Sequence, residues 1–199
     1  MTDRTPVAVL GTLAEFHREP IPYDLKSLVQ LVSQVQPDLL CLDMTPEQWR
    51  RGDFKDLPPE YRDALLPLAH QTDIVVVPIA EERPPAEPSA AGWRGKAIRG
   101  LRGWLAGLQR RAPGPDAINQ GLRHEIANLL YHSIAVLAGG ESQRPSQAHA
   151  DHLTQQVWEL ARREAGRRIL VVVNVRYCHL IRARLRECPE IDVRGYAQL

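Results

Sequence analysis

Three polar stretches of this sequence contain most of the side chains that could do chemistry, and each follows a short apolar run. The candidate residues are, in chain order, Gly11, Thr12, Glu15, His17, Asp43, Arg50, Arg176 and His179. Imidazole and carboxylate groups suit zinc or manganese, and they also serve as general acids and bases. We therefore predict a catalytic group made of Glu15, His17, Asp43 and His179, in which His17, Asp43 and His179 bind the divalent metal ion if one is present.

The other four candidates are predicted to bind the substrate, a small molecule or a peptide. Arg50 and Arg176 offer N–H donors to an anionic or carbonyl oxygen, and Gly11 and Thr12 form the turn after the first apolar run. The alternative interpretation is that these loop residues are polar only because loops contact water. The carboxylates would then do no more than cap helices.

The apolar runs predict the strands that position these residues. Residues 7–10, 39–42, 74–77 and 169–173 are short, nearly continuous and rich in β-branched side chains, which is typical of parallel strands buried on both faces. A weaker run at 191–193 predicts a fifth strand at an edge. Ligands of an open parallel sheet bind beyond the carboxyl ends of its strands, so the candidate residues are expected to meet at one rim.

Helical patterns alternate with the strands. Apolar residues recur at three- and four-residue steps across 25–35, a capping box at 45–48 begins a short helix, and 59–70 forms another. Residues 80–91 are rich in Pro, Glu and Ala and mark an exposed connection. Three further helices are predicted at 93–111, 116–137 and 148–165.

Together these elements predict an α/β fold. We expect an open, mostly parallel sheet of about five strands flanked by helices, in a single domain over residues 1–199. The helices of 92–166 form an insertion or cap between strands three and four.

The strand-end motifs resemble those of a known superfamily. The segments concerned are Val9-Leu10-Gly11-Thr12 with Glu15-Phe16, Gln36-Pro37-Asp38-Leu39-Leu40-Cys41-Leu42-Asp43, and 169–173 leading to His179-Leu180. They are similar to TraB/PrgY, ChaN and erythromycin-esterase-like proteins, among which are Tiki-type metalloproteases, haem-associated ChaN and esterases that open a macrolide ring. The resemblance covers both ends of the sheet and implies a metal-assisted or acid/base hydrolase of the peptidase or esterase type.

The resemblance also assigns individual positions. The residues that match its motifs are Gly11, Thr12, Asp43 and His179. Ala14 replaces the histidine of the first turn, and His17 is expected to supply that imidazole. Arg176 stands where the late turn of the superfamily has glycine.

Residues 93–111 predict a basic amphipathic helix, which supports a competing hypothesis. The segment 88–115 contains six lysine and arginine residues and no acidic residue, while Trp93 and Trp104 share an apolar face. Such a helix could dock on an anionic membrane surface, a partner's groove or a phosphate-bearing ligand. The alternative interpretation is an ordinary helix that packs its apolar side on the domain and leaves its arginines in solvent. The competing function is therefore a non-catalytic binding or adaptor protein.

Histidines in the insertion are interpreted as surface residues. A polar stripe opposite an apolar face that includes Leu122 and Leu129 is expected to face water, and its members are Gln120, His124, Asn128 and His132. The alternative is that this stripe lines the cleft, although His124 and His132 are too far apart along the helix to bind one ion. His149 and His152 have a three-residue spacing that suits metal ligands. Their position near a predicted helix start favours the surface.

Composition, charge and the absence of known motifs argue against several classes of protein and of binding partner. A formal net charge of +1 provides no overall field for a polyanion, so nucleic acid is not expected as a partner. The three cysteines include no Cys-x-x-Cys pair, which predicts a reducing, cytoplasmic environment.

Residues 1–6 lack a signal-type apolar stretch, and no run approaches the roughly 20 apolar residues that span a bilayer. Motifs for nucleotide binding, serine hydrolysis and zincin chemistry are absent, and homo-oligomerisation is left open.

Overall fold

The structure is a computed structural model that describes residues 4–199, so the first half of the segment inspected for a signal lies outside the described residues. Its strands are β1 Thr5–Thr12, β2 Leu39–Leu42, β3 Val75–Pro78, β4 Ile169–Asn174 and β5 Ile191–Arg194. Its helices are α1 Leu25–Val35, α2 Pro46–Arg51, α3 Leu66–His70, α4 Gly92–Arg110, α5 Pro115–Asn119, α6 Gly121–Ala138, α7 Gly140–Arg163 and α8 Val175–Leu185. A π-helical segment, Glu60–Leu65, precedes α3, and 3-10 turns form at Ala14–Arg18 and Tyr196–Gln198.

The sheet confirms the predicted fold class. All five strands are parallel, in the order β3-β2-β4-β1-β5. All five predicted runs form strands, and β5 lies at an edge as expected. The centre of the sheet is β4, with Val171 paired to Val9 of β1 on one side and to Cys41 of β2 on the other. The carboxyl ends of β1, β4 and β2 therefore lie side by side.

Both faces of the sheet are covered, because successive side chains point in opposite directions. Leu10 and Leu170 pack in a core that includes α1 and the π-helical segment. Val9 and Val171 pack on the other face with α7 and α8. Since α7 and the π-helical segment lie on opposite faces, groups from both can meet only beyond the strand ends.

The helical insertion lies between β3 and β4, as predicted. Its helices α4 and α6 share a small core of their own, which consists of Ile98, Leu105, Ala127 and Ile134. The following helix, α7, begins at Gly140, eight residues before the predicted start. It continues through Pro145, which lies in its second turn and removes only one intrahelical hydrogen bond. None of the helices within residues 4–199 combines the length and apolarity needed to cross a bilayer.

Two polar side chains fasten the insertion to β1 where its pairing with β5 ends. Pairing with β5 involves residues 5–8 of β1. Beyond them, Asn119 of α5 accepts a hydrogen bond from Gly11 N at 2.6 Å and donates to Gly11 O at 3.3 Å. Arg182 of α8 donates to Val9 O at 2.6 Å and to Asn119 O at 2.8 Å. These contacts fix the path of the chain into the loop after β1.

Helix α6 faces the opposite way from the expectation. His124 is buried, whereas Leu122 and Leu129 are exposed by 76% and 64%. The His124 imidazole lies 2.9 Å from Ile118 O through Nδ1 and 3.3 Å from Arg182 through Nε2. Because these partners satisfy the ring inside the protein, the prediction that His124 faces water is wrong, whereas Gln120 and His132 of the same stripe are exposed as predicted.

Candidate functional site

A buried histidine–carboxylate pair lies at the carboxyl end of β2. Asp43 directly follows that strand, and its carboxylate faces α7, where Nε2 of His149 lies 3.0 Å from both carboxylate oxygens. Both side chains are more than 90% buried. The His149 ring also packs against Tyr177, with ring centroids 5.1 Å apart. Such a pair holds the imidazole in one orientation, as general acid–base catalysis requires. The interpretation of His149 as a surface residue is wrong.

A second buried carboxyl group approaches from the other face of the sheet. Glu60 begins the π-helical segment and is 1% exposed. Its Oε1 accepts a hydrogen bond from Thr12 Oγ1 at 2.7 Å, and Oε2 has no hydrogen-bond partner among residues 4–199. Burial raises the pKa of Glu60, because desolvation disfavours the charged carboxylate, and the bond from Thr12 offsets only part of this. Glu60 therefore keeps its proton to a higher pH than an exposed glutamate.

The two carboxyl groups border one cavity of about 140 Å³ beyond the ends of β2 and β4. Its lining residues are Asp43, Pro58, Glu60, Tyr61, Pro84, Asn174, Arg176 and Tyr177. The Arg176 guanidinium donates to Pro85 O at 2.8 Å and lies 2.5 Å from the Tyr177 hydroxyl. Its Nε is buried without a hydrogen-bond partner in the described part of the chain. Two residues that line this cavity, Arg176 and Glu60, thus each have a buried polar atom that lacks a partner within residues 4–199.

A larger cavity of about 360 Å³ adjoins the first, and Asn174 and Arg176 line both. It lies under α4, and its walls combine apolar side chains with a few polar ones. The apolar residues are Leu13, Ala14, Phe16, Pro88, Leu105, Ala106, Ile134 and Val175. A small chamber that two carboxyl groups border therefore adjoins a larger one, with Asn174 and Arg176 between them. Mostly apolar cavities with a few polar groups are common in small-molecule sites.

Several predicted site residues lie at or near these cavities. Asp43 and Arg176 line the smaller cavity, and Thr12 holds Glu60. Glu15 lines the larger cavity, although its side chain is 71% exposed. Arg50 is exposed on α2 and pairs with Glu47 at 3.4 Å.

Gly11 is packed rather than open to a ligand. A Cβ atom at this position would lie 2.9 Å from Cys178 Sγ and 3.1 Å from the Val175 backbone. This close approach of β1 to α8 explains the glycine without a substrate.

The predicted metal ligands His17 and His179 have different surroundings. In His17, Nε2 accepts from Leu13 N at 2.9 Å and Nδ1 donates to Tyr23 O at 2.7 Å. Both ring nitrogens are thereby used to fold the loop after β1, so this imidazole does not fit a metal ion in this conformation. His179 lies on α8, where its neighbours are histidines of α6 and Arg184.

Within residues 4–199, no three His, Cys, Asp or Glu side chains are arranged to hold a metal ion. Zinc or manganese binding by His17, Asp43 and His179 stays a prediction.

Two functional candidates were missed in the sequence. Glu60 follows two prolines and has the pattern of an ordinary glutamate in a first helical turn, so the sequence offers no signal for its burial. His149 does carry a signal. It precedes Leu153, Val157 and Leu160 at four-, four- and three-residue steps, which places it on the buried stripe of α7.

Searches against protein-family models, curated proteins and solved structures found no match to this chain.

Proposed function

We propose that this protein is an acid/base hydrolase of the TraB/PrgY, ChaN and erythromycin-esterase-like type, with its reaction centre at the carboxyl ends of the strands. The observation that carries the proposal is that Glu60 and Asp43 border one cavity, while His149 contacts the Asp43 carboxylate at 3.0 Å. Two acid–base groups in different environments suit a reaction that removes one proton and delivers another.

In the proposed reaction, His149 oriented by Asp43 takes a proton from a water molecule. The hydroxide attacks the carbonyl carbon of an ester or amide in the smaller cavity, and the N–H groups of Arg176 stabilise the negative charge that develops on the carbonyl oxygen. The protonated form of Glu60, which burial favours by raising the pKa of this carboxyl, donates its proton to the leaving oxygen or nitrogen. The products are a carboxylic acid and an alcohol or amine. The proton taken up by His149 returns through solvent to Glu60, so both groups regain their starting forms.

The adjoining apolar cavity supports a substrate with an apolar group. The volume of about 360 Å³ falls within the usual range for small-molecule sites. Asn174 and Arg176 then lie at the boundary between the apolar group and the bond that is cleaved. A metal-assisted form of the reaction is a separate prediction, which elemental analysis of the purified protein and of its His17→Ala and His179→Ala variants tests.

A panel of carboxylic esters and amides tests the proposed residues. We expect Glu60→Gln and His149→Ala each to lower kcat/KM by about 100-fold or more, because each removes a proton-transfer group. His152→Gln, one turn further along α7, and Glu159→Gln, exposed on the same helix, are the matched controls, with activity expected within about twofold of the wild type. Full activity in Glu60→Gln and His149→Ala would contradict this centre.

Protein stability separates a catalytic loss from a folding defect. Glutamine keeps an oxygen that can accept from Thr12 and removes the buried charge. Because the folded-state pKa of Glu60 is raised, the contribution of its carboxyl to stability is present below the unfolded pKa and is lost as the pH rises. We therefore expect Glu60→Gln to be at least as stable as the wild type at pH 8 in urea unfolding.

One observation favours a second candidate function. In it, residues 93–111 have a non-catalytic binding or adaptor role. Ile98 and Leu105 of α4 are buried, but Trp93 and Trp104 are exposed by 69% and 74%. The apolar side of α4 is thus only partly covered. An adaptor function would survive Glu60→Gln and His149→Ala, whereas hydrolysis would not.

A further inference from the structure

The large apolar side chains left in solvent are concentrated on two packed helices. Of the seven such side chains within residues 4–199, six belong to α4 and α6, and the seventh is Val75 of β3. The six are Trp93, Trp104, Leu122, Ile126, Leu129 and Val136, exposed by between 39% and 76%. We call this surface the α4–α6 face. A patch of this kind usually marks an interaction site.

The helical spacing places these side chains on one continuous surface. Trp93 and Trp104 are eleven residues apart, which is about three helical turns, so both indoles lie on the same side of α4. The four apolar residues of α6 follow at steps of four, three and seven and form a single stripe. A groove between the helices, lined by Trp104, Leu108, Ile126 and Leu130 among others, joins the two.

The α4–α6 face also lies in a positively charged part of the chain. Residues 88–140 contain seven lysine and arginine residues and two acidic ones, a net charge of +5, whereas the rest of the chain has −4. Within residues 4–199, two of the six cations in 93–111 form ion pairs, Arg102 with Glu87 and Arg110 with Glu19. Four exposed cations therefore surround the indoles without a carboxylate: Arg94, Lys96, Arg99 and Arg111.

We propose that the α4–α6 face binds the surface of an anionic phospholipid membrane. Charge decides between the occupants, because a second copy would bring the same cations against themselves. Exposed indoles beside lysine and arginine suit the boundary between lipid headgroups and acyl chains. The proposal does not depend on hydrolysis, since none of the six apolar residues lines the smaller cavity.

Flotation of the full chain with vesicles tests the proposal. We expect at least about tenfold tighter binding to phosphatidylcholine vesicles with about 30 mol% phosphatidylserine than to phosphatidylcholine alone. Binding should weaken several-fold between about 50 and about 300 mM salt, because exposed charges are screened. Brominated lipids should quench tryptophan fluorescence, and this quenching should be lost in Trp93→Ser/Trp104→Ser.

Matched variants distinguish binding through the α4–α6 face from nonspecific binding to vesicles. Trp93→Ser/Trp104→Ser and Lys96→Glu/Arg99→Glu should each reduce binding about tenfold or more, since one loses the indoles and the other the charge. Val75→Ser removes the exposed apolar residue outside the face and Arg186→Glu an exposed cation on another surface, and both should bind like the wild type.

Three results would overturn the proposal. The first is equal binding to neutral and anionic vesicles, or none to either. The second is undiminished vesicle binding by the double tryptophan variant. The third is a concentration-dependent dimer in sedimentation velocity that the tryptophan substitutions abolish, which would assign the face to a second copy of the chain.

Discussion

His17 illustrates how one residue can look like a metal ligand in the sequence and serve the fold in the structure. Its ring connects Leu13 N to Tyr23 O and stacks edge-on against the Tyr23 ring, with centroids 4.8 Å apart. Burial lowers the pKa of His17 to about 4, although the contact with Tyr23 O acts in the opposite direction. The neutral imidazole is therefore the form that folds the loop.

This pKa shift predicts a pH-dependent loss of stability. The unfolded pKa of about 6.5 lies above the folded value, so the contribution of neutral His17 is complete above pH 6.5 and is lost as the pH falls towards 4. A shift of this size corresponds to about 3 kcal/mol in the free energy of unfolding. In urea unfolding from pH 8 to pH 4, the wild type should lose more stability than His17→Gln, which cannot titrate. Parallel pH profiles for the two proteins would contradict this role.

At the residue scale, the sequence indicated the location of the candidate site better than the residues that form it. Asp43 and Arg176 could be predicted because they directly follow strands, and the ends of parallel strands share one edge. Glu60 could not, because its burial depends on the π-helical segment packing against the end of β1. The Asp43–His149 pair joins residues 106 apart in sequence, and only the packing of α7 on the sheet brings them together.

The elements themselves were easier to predict than their orientation. Buried strands and helical stripes are local patterns, and all five strands appeared where the apolar runs predicted them. The strand order depends on crossovers that periodicity does not encode. The predicted orientation of α6 was wrong because the hydrogen-bond partners of His124, Ile118 O and Arg182, lie outside its own helix.

The connection between α5 and β1 gives a prediction at the scale of elements. Asn119→Ala removes the acceptor of Gly11 N and leaves that buried donor unpaired, whereas Gly11 O keeps a hydrogen bond from the Tyr23 hydroxyl at 3.1 Å. We expect it to lower the free energy of unfolding by about 2–3 kcal/mol in urea titration, since an unpaired buried polar group costs its desolvation. Gln120→Ala, at the exposed neighbouring position, should change stability by no more than about 0.5 kcal/mol. Equal stability of the two variants would show that these hydrogen bonds do not hold the insertion.

At the scale of the whole molecule, the insertion depends on the sheet. Helices α4 and α6 share a core of only four buried apolar side chains, too few to support a separately stable unit. Their α4–α6 face is open to solvent, and α5, which directly precedes α6, is held to β1 and α8 through Asn119 and Arg182. Arg110 adds a further junction by pairing with Glu19 in the loop after β1, at 2.6 and 2.9 Å.

This dependence predicts a single cooperative unfolding transition, which the four tryptophans allow to be tested. Trp93 and Trp104 of α4 are already exposed, so the fluorescence change on unfolding reports mainly Trp49 and Trp158, which are partly buried against the body of the sheet. Far-UV circular dichroism also includes the helices α4 and α6. We expect the two signals to share one midpoint in urea, and Asn119→Ala to move both midpoints together. Loss of helicity at lower urea than the fluorescence change would mean instead that the insertion unfolds on its own while the sheet stays folded.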